Sequence, residues 1–488
     1  MPQTLSPSQT LPAKTPTELF IGGCWTAGSA GTFAVLNPST GEKIADVARA
    51  DLADLDRAIR AAHEAMPGWA ATAPRERGEV LRKAFELMIE RREEIAFLMS
   101  LEMGKSLNDA RAEVTYAAEF FRWFSEEAVR IDGALRTAPS GSNHILTFKK
   151  PIGVALLLTP WNFPAAMATR KFAPALAAGC AVVLKPAEDT PLTALLLGSL
   201  LADAGVPDGV VNVVTTDEPV EVVAAALADR RVRKLSFTGS TRIGGLLLKQ
   251  AAERIVSASM ELGGNAPFIV LDDADLDSAV DGAMVAKMRN GGQACTAANR
   301  FLVQEAVAEQ FAVKLAARMG ALRVGLGTAE ETELGPLINA RQRDGIARKV
   351  DASVAAGAQA LIGGSTPPGD GYFYPATVLT GVPRDSACAT DEIFGPIAPI
   401  IPVRDEDDAI AVANATEVGL AAYVYTGSLA RGLRVCERLE VGMVGLNRGL
   451  ISDPAAPFGG VKESGLGREG GYEGVEEFLE TTYVATSW

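Results

Sequence analysis

Residues 153–160 read GVALLLTP, and after a helical stretch residues 180–186 read CAVVLKP. The same alternation continues through GVVNVVT (209–215), RKLSFTG (233–239) and IVSASMELGG (255–264). Each run is short, rich in Val, Leu and Ile, and bounded by Gly or Pro, which reads as a buried strand. The stretches between them, 165–178, 190–204, 218–229 and 241–253, carry helical patterns. Strand and helix in strict alternation predict βαβ units, hence a parallel sheet covered by helices.

A second alternation begins with PFIVLD (267–272). Helix 275–288, NRFLVQ (299–304), helix 305–320 and VAAGAQALIGG (354–364) follow, then IAPIIPV (397–403), LAAYVYTG (420–427) and VGMVGLN (441–447). This predicts a second α/β domain. Upstream, 51–65 and 74–130 read as helices, with Asp51 capping the first and Pro74 in the first turn of the second. Val80, Leu81, Ala84, Leu87 and Met88 fall on one face of the latter. The segment RTAPSGSNHILTFKK (136–150) reads as a projecting hairpin, and the β-rich TTYVATSW (481–488) is suited to pair with it. Such a pair exposes strand edges unless another subunit covers them.

The chain has 488 residues, 48% of them hydrophobic, too many for one ordinary core. Net charge is −14, which argues against nucleic acid or an anionic membrane as partner. No apolar run approaches the length of a membrane span. The start, MPQTLSPSQTLPAKTPTE, lacks the apolar core of a secretory signal, and its Pro, Ser and Thr content predicts a disordered tail over 1–17. Five cysteines, Cys24, Cys180, Cys295, Cys388 and Cys436, lie without paired spacing. They suit a reducing compartment, the cytoplasm, rather than a disulfide framework. Only two histidines occur, His63 in a helical stretch and His144 in a strand-like one. A Ser-His-Asp arrangement and a multi-histidine metal site are therefore not expected, and no metal is assigned.

Two stretches suit a nucleotide. LSFTGSTRIG (235–244) is a strand, a Gly turn and a helix start. Gly239 permits the tight turn, Ser240 and Thr241 can cap, and Gly244 permits close packing, so free N–H groups can face a diphosphate. VVLKPAEDTP (182–191) puts Lys185 and Glu188 at the carboxyl edge of the sheet, where a carboxylate can accept from ribose hydroxyls and would repel a 2′-phosphate.

Three further groups are each unremarkable alone. Cys295 lies among small residues in MRNGGQACTAANR (288–300), Glu261 follows an apolar strand in MELGGN (260–265), and Asn162 sits in the loop TPWNFP (159–164). Together they form a chemical set. The Asn162 amide and the Cys295 N–H can hold an oxyanion. Glu261 can deprotonate water in a site without histidine. A thiol, an oxyanion hole, a carboxylate base and a dinucleotide site together describe oxidation of an aldehyde through a thioester.

From about residue 20 to the C-terminus the sequence resembles the aldehyde dehydrogenase superfamily. The motifs are TPWNFP, LKPAEDTP, SFTGSTRIG, MELGGNAP, GGQACTAANR, EIFGP and PFGGVKESGLGREGG. The resemblance implies an α/β fold of two Rossmann-like parallel-sheet domains plus a small β oligomerisation arm. Its NAD-binding domain would comprise 18–135 and 151–262, its catalytic domain 263–473, and its arm 136–150 and 474–488. It implies Cys295 as nucleophile, Asn162 as oxyanion donor and Glu261 as hydrolytic base. Thr159, Pro160, Trp161, Lys185, Glu188, Gly239, Ser240, Glu392 and Phe394 fall at cofactor positions. NAD is expected, with NADP disfavoured by Glu188. A homo-oligomer, dimer or tetramer, is expected.

Within the superfamily the strongest likeness is to succinate-semialdehyde dehydrogenases, through MATRKFAPALAAGC, LEVGMVGLNRGLIS and GLGREGG. That likeness implies a small-molecule aldehyde carrying a carboxylate, bound by Arg170, Arg289 and Ser452. A guanidinium suits a carboxylate because it can reach both oxygens. The alternative for Arg289 is an ion pair within its own helix. Two features depart from the subfamily. Ala297 stands where some members carry a second cysteine, which removes a regulatory disulfide. Arg448 and DPAAP (453–457) border the expected substrate mouth and leave its chain length open between succinate semialdehyde, glutarate semialdehyde and an aromatic aldehyde. A CoA-acylating enzyme is disfavoured by Glu261, and a non-catalytic protein of the same fold by the intact Cys295, Glu261 and Asn162.

Overall fold

The computed structural model describes residues 10–488. The first nine residues of the expected tail lie outside the described residues. Two large sheets organise the chain. The first has eight strands, in the order Cys24–Thr26, Leu19–Ile21, Val211–Val213, Val182–Lys185, Val154–Leu158, Val232–Thr238, Ser257–Glu261 and Gly465–Leu466. Its five inner strands are parallel. Numbered by sequence, these five lie 3-2-1-4-5, so the chain changes direction between Val154–Leu158 and Val232–Thr238. In open α/β sheets that switch point opens a crevice at the carboxyl ends of the strands.

Continuous apolar runs are what a sheet covered on both faces requires, and all five residues of Val154–Leu158 are buried. The helix Pro164–Ala178 after it is buried along its whole length. It packs between the sheet and the long helix Leu107–Glu127. The second sheet has seven strands, ordered Gln359–Ile362, Thr377–Thr380, Ile397–Val403, Arg300–Gln304, Pro267–Val270, Ala421–Tyr425 and Met443–Leu446. All its pairings are parallel except the first. A separate three-stranded antiparallel sheet joins Leu479–Thr486, His144–Pro151 and Ala134–Thr137. The Trp488 and His144 rings stack there at 3.9 Å.

One expectation fails in detail. The helix anticipated over 74–130 is three helices, Pro74–Glu90, Arg92–Met103 and Leu107–Glu127, followed by a 3-10 turn. Arg91 leaves helical geometry at ψ 18°, and Gly104 takes a left-handed φ of 89° that ends the second helix. Ser106 then caps the third, accepting from the Asp109 N–H at 3.2 Å. No helix among the described residues is long and apolar enough to cross a membrane.

Candidate active site

The crevice at the switch point holds a cavity of about 290 Å³. The loop after the first strand contributes Pro160, Trp161 and Asn162, and the fourth strand and its turn contribute Thr238, Gly239 and Ser240. Leu262 and Gly263 follow the fifth strand, and the second domain supplies Cys295, Glu392, Ile393 and Phe394. Residues far apart in sequence thus converge where strand order reverses.

Cys295 is the only cysteine that lines this cavity. Burial pushes its thiol up to about 12, Arg170 pulls it back, and Glu392, Glu261 and Glu469 push it further up. The thiol is held protonated at rest. Its loop is pinned from several sides. The Tyr423 hydroxyl donates to the Thr296 carbonyl at 2.8 Å, and Asn299 donates to Asn265 Oδ1 at 2.6 Å and to the Asp391 carbonyl at 2.8 Å. Gly264 lets the loop approach closely, since a Cβ there would stand 3.0 Å from the Cys295 carbonyl oxygen. Among the described residues the Cys295 N–H has no acceptor.

The orientation of the Asn162 amide follows from its partners. Oδ1 accepts from the Phe163 N–H at 3.1 Å, and Nδ2 donates to the Gln293 carbonyl at 3.2 Å. An NH₂ group has two hydrogens, and the second has no acceptor among the described residues. Two unsatisfied donors, this one and the Cys295 N–H, belong to residues of one cavity wall.

Glu261 ends the fifth strand and is buried, with Oε2 unpartnered among the described residues. Burial raises its pKa well above the carboxylate range. Glu469 raises it further, while Arg170, Lys171 and Arg468 oppose both. Its carboxylate is not part of the cavity wall and lies toward Gly459, where a Cβ would stand 3.0 Å from Oε1.

Several residues on the cavity wall suit a dinucleotide. Ser240 caps Thr241–Ala252, its Oγ accepting from the Ile243 N–H at 3.4 Å. Gly244 lets that helix meet the sheet, for a Cβ there would be 2.5 Å from Leu262 Cδ2. Thr238 Oγ1 is buried without a partner at the same turn. Glu392 accepts from the Gly264 N–H at 3.2 Å, and burial pushes its carboxyl up to about 7 against Lys349 and Lys287. Phe394 has a left-handed φ of 58° and stands edge-on to Trp161 at 5.4 Å. An orphaned hydroxyl, a helix N-terminus and two aromatic rings in one cavity fit a phosphate-bearing cofactor with a flat ring.

Thr159, Lys185 and Glu188 are not on this wall. The Thr159 N–H donates to the Lys185 carbonyl at 3.3 Å, and Lys185 Nζ lies 3.3 Å from Glu188 Oε2. Thr159 follows the strand Val154–Leu158, while Lys185 and Glu188 lie at the carboxyl end of the neighbouring strand Val182–Lys185, with Glu188 facing a small hollow shared with Asp189 and Asp217.

A second cavity, of about 450 Å³, is lined by Arg289, Ser452, Tyr116, Met288 and Asp109 among others. Arg289 makes no ion pair among the described residues. Its guanidinium lies 4.8 Å from the Phe163 ring centre and 5.4 Å from that of Tyr116. The ion pair within its own helix does not form. Arg170 departs from expectation. It is 1% exposed and lines neither cavity. Its Nε lies 3.3 Å from Glu469 Oε2, and Phe458 covers its guanidinium at 4.0 Å. Tyr116 and Phe458 screen it, so direct contact with a substrate carboxylate does not match this position. Tyr116, which the sequence did not single out, lines the second cavity instead: Arg170 donates to its hydroxyl at 2.8 Å, leaving the phenolic hydrogen without an acceptor among the described residues.

The family model for the aldehyde dehydrogenase family matches residues 25–484. The chain belongs to this family. It is an oxidoreductase that oxidises an aldehyde with a nicotinamide dinucleotide. This aldehyde dehydrogenase is 56% identical over 441 residues to a succinate-semialdehyde dehydrogenase of Paenarthrobacter nicotinovorans, covering 90% of this chain and 98% of that protein. It is 48% identical over 471 residues to a glutarate-semialdehyde dehydrogenase of Pseudomonas putida, covering 96% and 98%. Among solved structures, an E. coli NADP dependent enzyme superposes with a TM-score of 0.95 at 46% identity, covering 97% and 98%. A Staphylococcus aureus betaine aldehyde dehydrogenase in complex with NAD+ superposes with a TM-score of 0.93 at 33% identity, covering 97% and 95%.

Proposed function

We propose that this aldehyde dehydrogenase oxidises a short aldehyde with a carboxylate at its far end, succinate semialdehyde before glutarate semialdehyde, and prefers NAD to NADP. The observation that carries the reading is Arg289: a cation without an ion pair among the described residues, packed on Phe163, which directly follows the Asn162 that lines the cavity of Cys295. In this reading the aldehyde end of the substrate meets Cys295 and its carboxylate end meets Arg289. Ser452 and the free hydrogen of Tyr116 add donors around the same carboxylate. The names of the relatives, both semialdehydes of dicarboxylic acids, support the class.

In this reading Cys295 gives up its proton to solvent water and the thiolate adds to the carbonyl carbon. The Asn162 amide and the Cys295 N–H stabilise the thiohemiacetal oxyanion. Pro160, Trp161, Gly239, Ser240, Glu392 and Phe394 would cradle the dinucleotide, with Lys185 and Glu188 toward its adenine ribose, and when bound it would accept the hydride. Glu261, with an unpartnered oxygen and a raised proton affinity, takes a proton from water, which then cleaves the thioester. Glu188 motivates the preference for NAD, since its charge opposes a 2′-phosphate. The Lys185 partner partly neutralises that charge.

We also read the first sheet as the NAD-binding domain, the second as the catalytic domain, and the three-stranded sheet as an arm that joins subunits into a dimer or tetramer. The scattered free cysteines suit the cytoplasm.

A panel of succinate semialdehyde, glutarate semialdehyde, butanal and benzaldehyde, each assayed with NAD and NADP, tests the reading. Succinate semialdehyde with NAD should show the highest kcat/KM. Butanal or benzaldehyde at equal efficiency would remove the carboxylate from the argument and leave an aldehyde dehydrogenase of aromatic or general specificity. No turnover with any aldehyde would favour the non-catalytic alternative.

A further inference from the structure

Beneath the loop that carries Asn162 lies an ion pair with no solvent exposure on either side chain, Lys105 with Glu113. Lys105 follows Gly104 at the break between two helices, and Glu113 lies in the next helix, so neither belongs to the sheets that form the cavity. Buried ion pairs are poor stabilisers, because desolvation offsets the attraction, and apolar replacements are often as stable. What this pair holds is more specific than the fold.

Lys105 Nζ donates to the backbone carbonyl of Asn162 at 2.8 Å as well as to Glu113, and lies 4.2 Å over the Phe163 ring. The other Glu113 oxygen, Oε1, accepts from the Ala165 N–H at 3.0 Å and the Ala166 N–H at 3.1 Å. The pair therefore grips both sides of a five-residue stretch: the carbonyl of Asn162 and the first turn of the following helix. Asn290 takes the same Asn162 carbonyl from the opposite side, donating Nδ2 at 2.8 Å and also bonding the Gln293 carbonyl at 3.0 Å. Gln293 in turn receives the Asn162 side chain at 3.2 Å. The amide hydrogen left over for an oxyanion is aimed by a frame whose members never reach the cavity in which it acts.

We propose that Lys105, with Glu113, is a positioning residue for acyl transfer: it fixes the direction of the Asn162 amide toward the oxyanion on the Cys295 adduct. This rests on the reading of Asn162 as oxyanion donor. The competing assignment is a purely structural pair.

The two differ in what they change. Lys105→Met combined with Glu113→Gln removes both charges and keeps an acceptor for the helix N-terminus. Three readouts are taken on this double variant: thermal midpoint, the single-turnover rate of acylation of Cys295, and the rate at which iodoacetamide alkylates Cys295, followed on its peptide by mass spectrometry. Alkylation uses the thiolate but develops no oxyanion. The positioning role predicts that acylation falls roughly ten- to hundredfold, as a displacement of the order of 1 Å can cost, while alkylation stays within about twofold of wild type. Acylation at the wild-type rate in the folded double variant would overturn the proposal, as would alkylation falling in step with acylation. If the double variant does not fold, Lys105→Met alone, which removes the Lys105 donor from the same carbonyl and leaves Glu113 on the helix N-terminus, is read by the same two rates and the same criteria. Asn162→Ala is run alongside. Unimpaired acylation there defeats the oxyanion reading itself, whereas impaired acylation there with normal acylation in the double variant defeats only the role of Lys105.

Discussion

The Arg289 guanidinium lies 4.8 Å from the ring of Phe163, and Phe163 directly follows Asn162, whose amide faces the cavity of Cys295. Two adjacent residues thus touch, one the cavity of the Cys295 thiol and the other a guanidinium without an ion pair among the described residues. Chemistry and specificity should be separable by substitution on the Cys295 side and on the Arg289 side.

On the reacting side, Cys295→Ala should abolish oxidation without loss of fold or cofactor binding, because no other cysteine lines the cavity. Glu261→Gln should acylate and then stall. A burst of about one equivalent of NADH per site, followed by slow turnover, is the expected trace. Full steady-state turnover would assign the base elsewhere.

In the proposed mechanism Asn162→Ala removes one of two oxyanion donors. The expected loss is about 2.7–4 kcal/mol of transition-state stabilisation, roughly a hundred- to thousandfold in kcat. An effect confined to KM would show that the amide only positions the substrate.

The pH dependence follows from burial. The thiol of Cys295 is pushed up to about 12, so the thiolate is a minor species at neutral pH and grows as pH rises. In cofactor-free enzyme, alkylation of Cys295 should increase by about tenfold per pH unit between about pH 7 and 9, since only the thiolate is nucleophilic. Arg170 opposes that rise in pKa, so Arg170→Gln should slow alkylation at every pH. A plateau below about pH 8 would mean that the thiolate is far better stabilised than this geometry allows.

How much of this was readable in the chain depends on the range of each interaction. The strands were legible because a parallel sheet buried on both faces demands continuous apolar runs, as in Val154–Leu158. The breaks at Arg91 and Gly104 were not, because one glycine and one non-helical ψ leave no pattern in a stretch that is otherwise helical. Cys295, Asn162 and Glu261 stood out as reactive types in loops or at a strand end. Tyr116 did not, since a tyrosine on a helix rich in Ala and Phe reads as core until the cavity beside it is seen. Arg170 was assigned to substrate by the likeness to succinate-semialdehyde dehydrogenases, and its ion pair with Glu469 was not legible because Glu469 lies at the far end of the sequence.

The proposed preference for NAD rests on Glu188. With its charge shared with Lys185 at 3.3 Å, the preference for NAD should be real but moderate. Glu188→Ser should raise kcat/KM with NADP and narrow the gap between the cofactors. Equal or better efficiency with NADP in the wild type would defeat the argument.

The selecting side gives the sharpest test. Arg289 lies between two rings and makes no ion pair, so its charge is available to a carboxylate. A charge-assisted hydrogen bond contributes roughly 1.5–3 kcal/mol, and a bidentate contact makes two. Butanal, which matches succinate semialdehyde in length without the carboxylate, should lose about a hundredfold or more in kcat/KM by that measure. Arg289→Ala should remove most of this difference by lowering efficiency on succinate semialdehyde while sparing butanal. Tyr116→Phe should lower it less, because one neutral donor is lost while Arg170 keeps its bond to Glu469. Arg170→Gln should act mainly through Cys295, slowing both aldehydes alike, since Arg170 is screened from the cavity by Tyr116 and Phe458. If Arg170→Gln instead erased the preference for the carboxylate and Arg289→Ala did not, the anion would be bound behind Tyr116, and the cavity lined by Arg289 and Ser452 would not be the substrate site.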